Sequence, residues 1–142
     1  MNSRRTFIKN TCVACTGTAL GINLLQSCSS VKTVNTTITN NMMAVAKAEF
    51  ATVTSLKVRN LQLPYDILLV KESEDNYCAL YMQCTHEDNA VYTDGSKINC
   101  PSHGSQFSMK GAVIDGPASK ALKQFKTEIT TNTINIFLNQ TI

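Results

Sequence analysis

Two short Cys/His pairs constrain this chain more than any other feature of its sequence. Cys84-Thr85-His86 and Cys100-Pro101-Ser102-His103 each place one thiol and one imidazole within a few residues, and 13 residues separate the pairs. The chain has no other histidine. Two thiolates and two imidazoles suit a tetrahedral site for zinc or for an iron–sulfur cluster. We therefore expect the fold to bring these two segments together.

Short strand signals surround both pairs. Apolar residues spaced as on one face of a strand occur in three sets, Leu56 and Val58, then Cys78, Leu80 and Met82, then Ile134, Ile136 and Leu138. A fourth signal is the apolar run Tyr65–Val70, and turn-rich residues at 73–76, 93–96 and 131–133 separate the runs. Predicted strands at Tyr77–Gln83 and Lys97–Asn99 directly precede the two pairs. The pattern predicts an all-β sandwich or barrel over residues 44–142.

The distribution of ligand types between the pairs favours one chemistry. Structural zinc sites usually take one ligand type from each loop, whereas each segment here contributes one Cys and one His. This arrangement resembles the Rieske family, in which two Cys hold one iron and two His hold the other iron of a [2Fe–2S] cluster. The run Cys100–Phe107 extends the resemblance. The segment 111–118, with Leu122 beyond it, looks like the glycine–proline loop that covers the cluster in that family.

The resemblance implies a fold, a ligand set and a function. The fold is an antiparallel β-sandwich or barrel with a small two-loop subdomain at about 84–107. The ligands are Cys84 and Cys100 on the buried iron, with His86 and His103 on the outer, redox-active iron of one cluster per chain. The function is one-electron transfer, by a membrane-tethered carrier or by the small subunit of an oxidoreductase complex. A cytochrome or a catalytic oxidoreductase subunit would dock at the His86/His103 tip. The sequence has no phosphate loop and no nucleophile with its base, so we do not expect an enzyme by itself.

Four further positions can be compared with the family pattern. High-potential Rieske subunits of quinol–cytochrome c reductases carry a bridging cysteine in each loop, and Asn89 and Ser102 stand at the matching positions. Ser105 matches the serine whose hydroxyl donates to a bridging sulfide. Phe107 replaces the tyrosine that donates to a ligating sulfur. The covalent brace between the loops and one hydrogen-bond donor are therefore missing.

Other interpretations stay open at this level. Cys84 and Cys100 could form a disulfide in an oxidising compartment, or the four residues could hold structural zinc in a binding module. A Rieske subunit of a quinol-oxidising complex is the alternative redox function, and a soluble ferredoxin of ring-hydroxylating oxygenases is another. Cys78 lies on a strand face and is interpreted as a buried core thiol.

The first 43 residues predict export and anchoring. Ser3–Lys9 matches the twin-arginine export pattern, and Thr11–Leu25 is an uncharged stretch too short for a typical bilayer span. Leu25-Gln26-Ser27-Cys28 resembles the lipobox of bacterial lipoproteins. We therefore expect a signal peptide over 1–27, and a lipidated Cys28 followed by a flexible Ser/Thr/Asn-rich tether over 28–43. An uncleaved anchor helix is the alternative.

These expectations place the protein on the periplasmic side of a bacterial membrane. They also explain its charge. Three of the 13 basic residues, Arg4, Arg5 and Lys9, belong to the signal, which leaves 10 basic residues against 10 acidic ones. The rest of the chain therefore carries no basic excess for nucleic acid. Twin-arginine export also suits a protein that receives its cluster before it crosses the membrane.

The departures from the family pattern predict a moderate midpoint potential. Fewer hydrogen bonds to a cluster leave its reduced, more negative form less stabilised. We expect the midpoint to fall in the interior of the Rieske range of about −150 to +300 mV. Protein-film voltammetry checks this value. A midpoint at the upper limit would contradict the interpretation of Asn89, Ser102 and Phe107.

Overall fold

The computed structural model of the chain describes residues 31–142. The strands are β1 (Thr33–Asn35), β2 (Ile38–Thr39), β3 (Met42–Ala46), β4 (Ser55–Arg59), β5 (Ile67–Ser73), β6 (Asn76–Tyr81), β7 (Tyr92–Thr93), β8 (Lys97–Asn99), β9 (Gln106–Ser108), β10 (Val113–Asp115), β11 (Gln124–Ile129) and β12 (Thr133–Thr141). A 3₁₀ turn at Lys47–Phe50 follows β3. The all-β prediction is confirmed. The twin-arginine and lipobox motifs lie outside the described residues.

The strands form two sheets of different size. Eight strands pair in the order β1-β4-β5-β6-β11-β12-β3-β2, and four pair in the order β10-β9-β8-β7. Neighbours are antiparallel except β1 and β4, which run parallel. Over residues 31–142, no helix has the length and apolar character needed to cross a membrane.

Two apolar cores lie on opposite faces of the large sheet, and strand β6 contributes side chains to both. Alternate residues of this strand and its continuation enter different cores, Tyr77, Ala79 and Tyr81 the first and Cys78, Leu80 and Met82 the second. The first core fills the concave side of the large sheet. The second core joins β6 to the small sheet through Ile98 and Phe107, and includes both Cys84 and Cys100. The small sheet thus carries the Cys/His pairs on a packed base.

The predicted strand faces agree with this packing. Leu56 and Val58 are fully buried in the first core, and so are Ile134 and Ile136. Cys78 is a buried core thiol, as the sequence predicts. One strand is longer than expected, because β5 continues through Lys71 to Ser73, where it forms a hairpin with β6.

A single N-terminal segment joins the two edges of the large sheet. β1 pairs with β4, β2 pairs with β3, and only Thr36 and Thr37 separate β1 from β2. Thr36 contacts both edges, since its N–H donates to the Arg59 carbonyl at 3.1 Å and its Oγ1 donates to the Ala44 carbonyl at 3.0 Å. The sheet is therefore curled, with its outer strands held next to each other.

This segment corrects the prediction of a flexible tether over residues 28–43 for the part that lies within the described residues. From Thr33 onward the chain forms β1, β2 and the start of β3, with Val34 and Ile38 packed against the first core and Met43 fully buried. The polar composition suggested that little is buried there. However, the β-branched residues suit strands, and their apolar members point inward. The folded domain thus begins about ten residues before the predicted boundary at residue 44.

Replacing Val34 tests whether this segment is part of the fold. A carboxylate at this partly buried position loses its hydration, so we expect Val34→Asp to lower the free energy of unfolding by roughly 1–3 kcal/mol. The adjacent Thr33 is exposed on the other face of the strand, so Thr33→Asp is the matched control. Urea unfolding measures both variants. Equal, negligible effects would mean that the segment is a tether after all.

Candidate metal centre

The two Cys/His segments form loops of the same design. In each loop the cysteine N–H donates to a carbonyl five residues further on, Cys84 to Asn89 at 2.8 Å and Cys100 to Ser105 at 2.8 Å. The second loop turns at Gly104, whose φ of +77° is in the left-handed region that favours glycine. Each loop leaves the end of a strand, the first from β6 and the second from β8. The two loops are thus closed in the same way, and they bring their Cys and His side chains to one site.

The four predicted ligands separate into a buried pair and an exposed pair. Cys84 and Cys100 are buried at the end of the second core, whereas His86 and His103 are exposed. The two imidazole ring centroids lie 5.0 Å apart with the rings nearly perpendicular. The structure therefore brings all four residues together, with the thiols beneath the imidazoles.

The surroundings of Cys84 favour the thiolate. Burial opposes ionisation, but the backbone N–H groups of His86 and Glu87 and the side chains of Cys100 and Ser105 hydrogen-bond to the thiol and lower its pKa. A thiolate is the form that binds metal. The contact with Cys100 also places the two sulfurs next to each other.

Cys78 provides a contrast within the same core. Burial raises the pKa of its thiol to about 11, so it stays protonated and does not suit a ligand. Cys78, Cys84 and Cys100 are all free thiols. The structure therefore does not contain the disulfide between Cys84 and Cys100 that the sequence left open.

The glycine–proline loop packs against the second cysteine loop. Ser105 is fully buried, and its Oγ accepts the Ala118 N–H at 3.1 Å, which leaves the hydroxyl hydrogen free to point at Cys84. Gly116 has a φ of +93°, and a Cβ built there would lie 2.5 Å from the Ser105 Cα. Only glycine fits this contact between the two loops.

Hydrogen bonds hold the first loop where the cysteine brace is missing. Thr85 Oγ1 donates to the Lys120 carbonyl at 2.6 Å, and this ties the loop to the segment after the glycine–proline loop. The Tyr65 hydroxyl donates to the Asp88 carbonyl in the same loop. Sequence reasoning missed both bonds. They join residues 35 and 23 positions apart, and no local pattern signals them.

Glu87 is a further residue at the site that the sequence did not single out. Its carboxylate lies 3.7 Å from His103 Nδ1, and its ligand atom falls within 4.8 Å of those of both histidines. Its position directly after His86 was the only available signal. Glu87 adds negative charge beside the exposed imidazoles.

The residues present fit a [2Fe–2S] cluster of the Rieske type. Such a cluster needs two thiolates and two imidazoles. The structure supplies two adjacent buried thiols, one of them with a lowered pKa, and two neighbouring imidazoles that face solvent. An all-β frame that presents this donor set is typical of an iron–sulfur protein.

The family model for the Rieske [2Fe-2S] domain matches residues 40–126, more than half of the chain. The chain therefore belongs to the Rieske family, and its cofactor is a [2Fe–2S] cluster.

Similar proteins agree with this assignment. The cytochrome b6-f complex iron-sulfur subunit of Chlorobaculum tepidum is 33% identical over 66 residues, which cover 45% of this chain and 36% of that subunit. The chain thus matches only about a third of that relative's length. The plasma membrane Rieske protein PetC3 of Synechocystis PCC 6803 aligns with a TM-score of 0.54 at 26% identity, over 64% of this chain and 93% of that structure.

A second solved structure shares the fold. It is a complex of reduced oxygenase and oxidized ferredoxin in carbazole 1,9a-dioxygenase, and it aligns with a TM-score of 0.55 over 73% of this chain and 99% of that one. The identity is 19%, so this likeness shows the fold alone.

Substitution of Gly116 tests the packing between the loops. We expect Gly116→Ala to unfold more easily and to lose its cluster several times faster, because the new methyl group forces the glycine–proline loop away from Ser105. The strain of an alanine at positive φ alone costs only about 1 kcal/mol. Urea unfolding and the decay of visible absorbance measure the two effects.

Gly95 offers a control at the same backbone angle. It also has a φ of +93°, but nothing lies within 4 Å of a Cβ built there. Gly95→Ala should therefore show the strain without faster cluster loss. Equal loss from both variants would mean that the contact with Ser105 has no role in holding the site.

Proposed function

We propose that this protein is a one-electron carrier, tethered to the membrane by lipid on Cys28 and facing the periplasm. Cys84, His86, Cys100 and His103 are the ligands in this proposal, with Ser105 as a hydrogen-bond donor to the cluster. The cluster, when bound, supplies a one-electron couple. The arrangement of exposed imidazoles over buried thiols carries the proposal.

The four proposed ligands have two roles. The cysteines bind the cluster inside the protein, and the histidines lie where a partner protein can dock. Cys84 and Cys100 bind from the apolar core, where water is excluded, and backbone N–H groups stabilise a charge on Cys84. His86 and His103 stand at the surface, where a donor or acceptor protein can approach closely. Their second ring nitrogens can hold a proton there, so that proton and electron transfer can be coupled. Glu87 and Asp88 make the rim of this tip acidic, which favours a partner with a basic docking surface.

Sequence motifs support the location. The twin-arginine pattern Ser3–Lys9 and the lipobox that ends at Cys28 are both typical of exported bacterial proteins. Several acyl chains at one cysteine bind a membrane far more firmly than a single chain does. The redox partners in this proposal are a cytochrome or a catalytic oxidoreductase subunit.

The likeness to a cytochrome b6-f iron-sulfur subunit favours a second candidate. In that case the protein is the Rieske component of a quinol-oxidising complex. Asn89 and Ser102 argue against it, because the sequence lacks the bridging cysteines of the high-potential subunits. Affinity purification of the tagged protein from detergent-solubilised membranes separates the candidates by what co-purifies. A stable complex with a quinol-binding cytochrome would favour the second candidate.

Two buried cysteines give a matched test of the ligand set. Cys84→Ala removes a proposed ligand, so we expect at least about a 10-fold loss of bound iron and of visible absorbance. Cys78→Ala removes a thiol of the same core that is not a proposed ligand, and iron should be retained. Iron and sulfide analysis measures both. Full iron content in Cys84→Ala would contradict the ligand assignment.

The anchor is tested by Cys28→Ala. Without an acyl acceptor the protein should move from the membrane fraction to the soluble fraction. Immunoblots of fractionated cells measure this, with Cys78→Ala as the control that keeps Cys28. A Cys28→Ala protein that stays equally membrane-bound would show that the anchor lies elsewhere.

A further inference from the structure

A groove of about 640 Å³ lies where the described chain enters the fold. Its walls include Val31, the loop from Asn60 to Asp66 and the start of the small sheet at Tyr92. Val31 packs against the second core, and β1 begins two residues later in pairing with β4. The N-terminal end of the domain is therefore fixed at the rim of this groove.

The chain between this rim and Cys28 is very short. Cys28 lies three residues before Val31, and three residues span at most about 11 Å when fully extended. An acylated cysteine keeps its backbone at the membrane surface, because its acyl chains enter the bilayer. Since the predicted tether is part of the sheet from Thr33 onward, an anchor at Cys28 would hold the groove next to the lipid.

The side chains around the groove suit a membrane surface. Leu61 is 99% exposed, and Tyr92, which also lines the groove, is 55% exposed. Leucine gains by leaving water, and tyrosine is enriched where bilayer and water meet.

The charges at the groove are complementary to anionic headgroups. Lys57 and Arg59 line it. Arg59 forms an ion pair with Asp66 at 2.7 Å, whereas Lys57 makes no salt bridge within residues 31–142. Lys57 is therefore free to attract lipid phosphate.

We propose that the face formed by Val31, Leu61 and Tyr92, with Lys57 beside it, rests on the bilayer in the anchored protein. The occupant of this face is the surface of an anionic phospholipid membrane. This inference rests on the proposed lipidation of Cys28. It adds an orientation, in which the first Cys/His loop lies close to the membrane, because Ala90 and Val91 line the same groove.

Because the sequence contains no tryptophan, the fluorescence of one introduced tryptophan can report contact of this face with the bilayer. Leu61→Trp introduces a single tryptophan at the groove, and the fold should tolerate the change because Leu61 is fully exposed. Ile114→Trp is the matched control, since Ile114 is a 56% exposed apolar residue on β10, outside the groove. Both variants are used as cluster-loaded lipoproteins in vesicles of phosphatidylethanolamine and phosphatidylglycerol, with and without brominated acyl chains.

We expect brominated lipid to reduce the fluorescence of the Leu61→Trp protein about two-fold and to leave the Ile114→Trp protein almost unchanged. Equal quenching of the two variants would overturn the proposed contact of this face with the bilayer, and so would no quenching of either while the protein floats with vesicles. The anchor at Cys28 would be unaffected by either result. Mass spectrometry of the N-terminal peptide shows whether Cys28 is acylated, and so tests the anchor independently of the fluorescence. An unmodified Cys28 in protein that does not float would overturn both the anchor and the contact of this face with the bilayer.

Discussion

The convergence of two thiols beneath two imidazoles is the constraint on which the rest of this structure depends. Cys84 and Cys100 lie at the end of an apolar core, so any charge on them needs nearby hydrogen-bond donors. Both loops supply donors to Cys84, the backbone N–H groups of His86 and Glu87 from its own loop and the side chains of Cys100 and Ser105 from the other. Because each loop is closed by its cysteine N–H, the backbone that positions the sulfur also shapes the turn that presents the histidine.

Non-covalent contacts hold the two loops in place. The glycine–proline loop packs against the second loop, through the hydrogen bond between Ala118 and Ser105 and the close contact at Gly116. The first loop is held by two hydrogen bonds, which the hydroxyl groups of Thr85 and Tyr65 donate. Each hydrogen bond contributes only about 1 kcal/mol, so the site depends on several acting together. A site held in this way depends on the folding of the whole domain.

The sequence predicted the parts of this molecule that depend on local pattern. The spacing of the Cys/His pairs identified the site, and alternation of apolar residues located strands such as β4 and β12. The bonds from Thr85 and Tyr65 could not be predicted, because their partners are carbonyl groups, which any residue can offer. The role of residues 33–39 was missed for a related reason. Their composition is polar, and their strands form only by pairing with distant ones, β1 with β4 and β2 with β3.

Electron paramagnetic resonance of the purified protein before and after dithionite tests the central claim most directly, when combined with metal analysis of the same sample. We expect a coloured protein with two irons and two sulfides per chain, silent when oxidised and paramagnetic when reduced by one electron. A colourless protein that contains zinc and gives no signal after dithionite would contradict it. The four side chains would then form a structural metal site, and the electron-transfer function would be wrong.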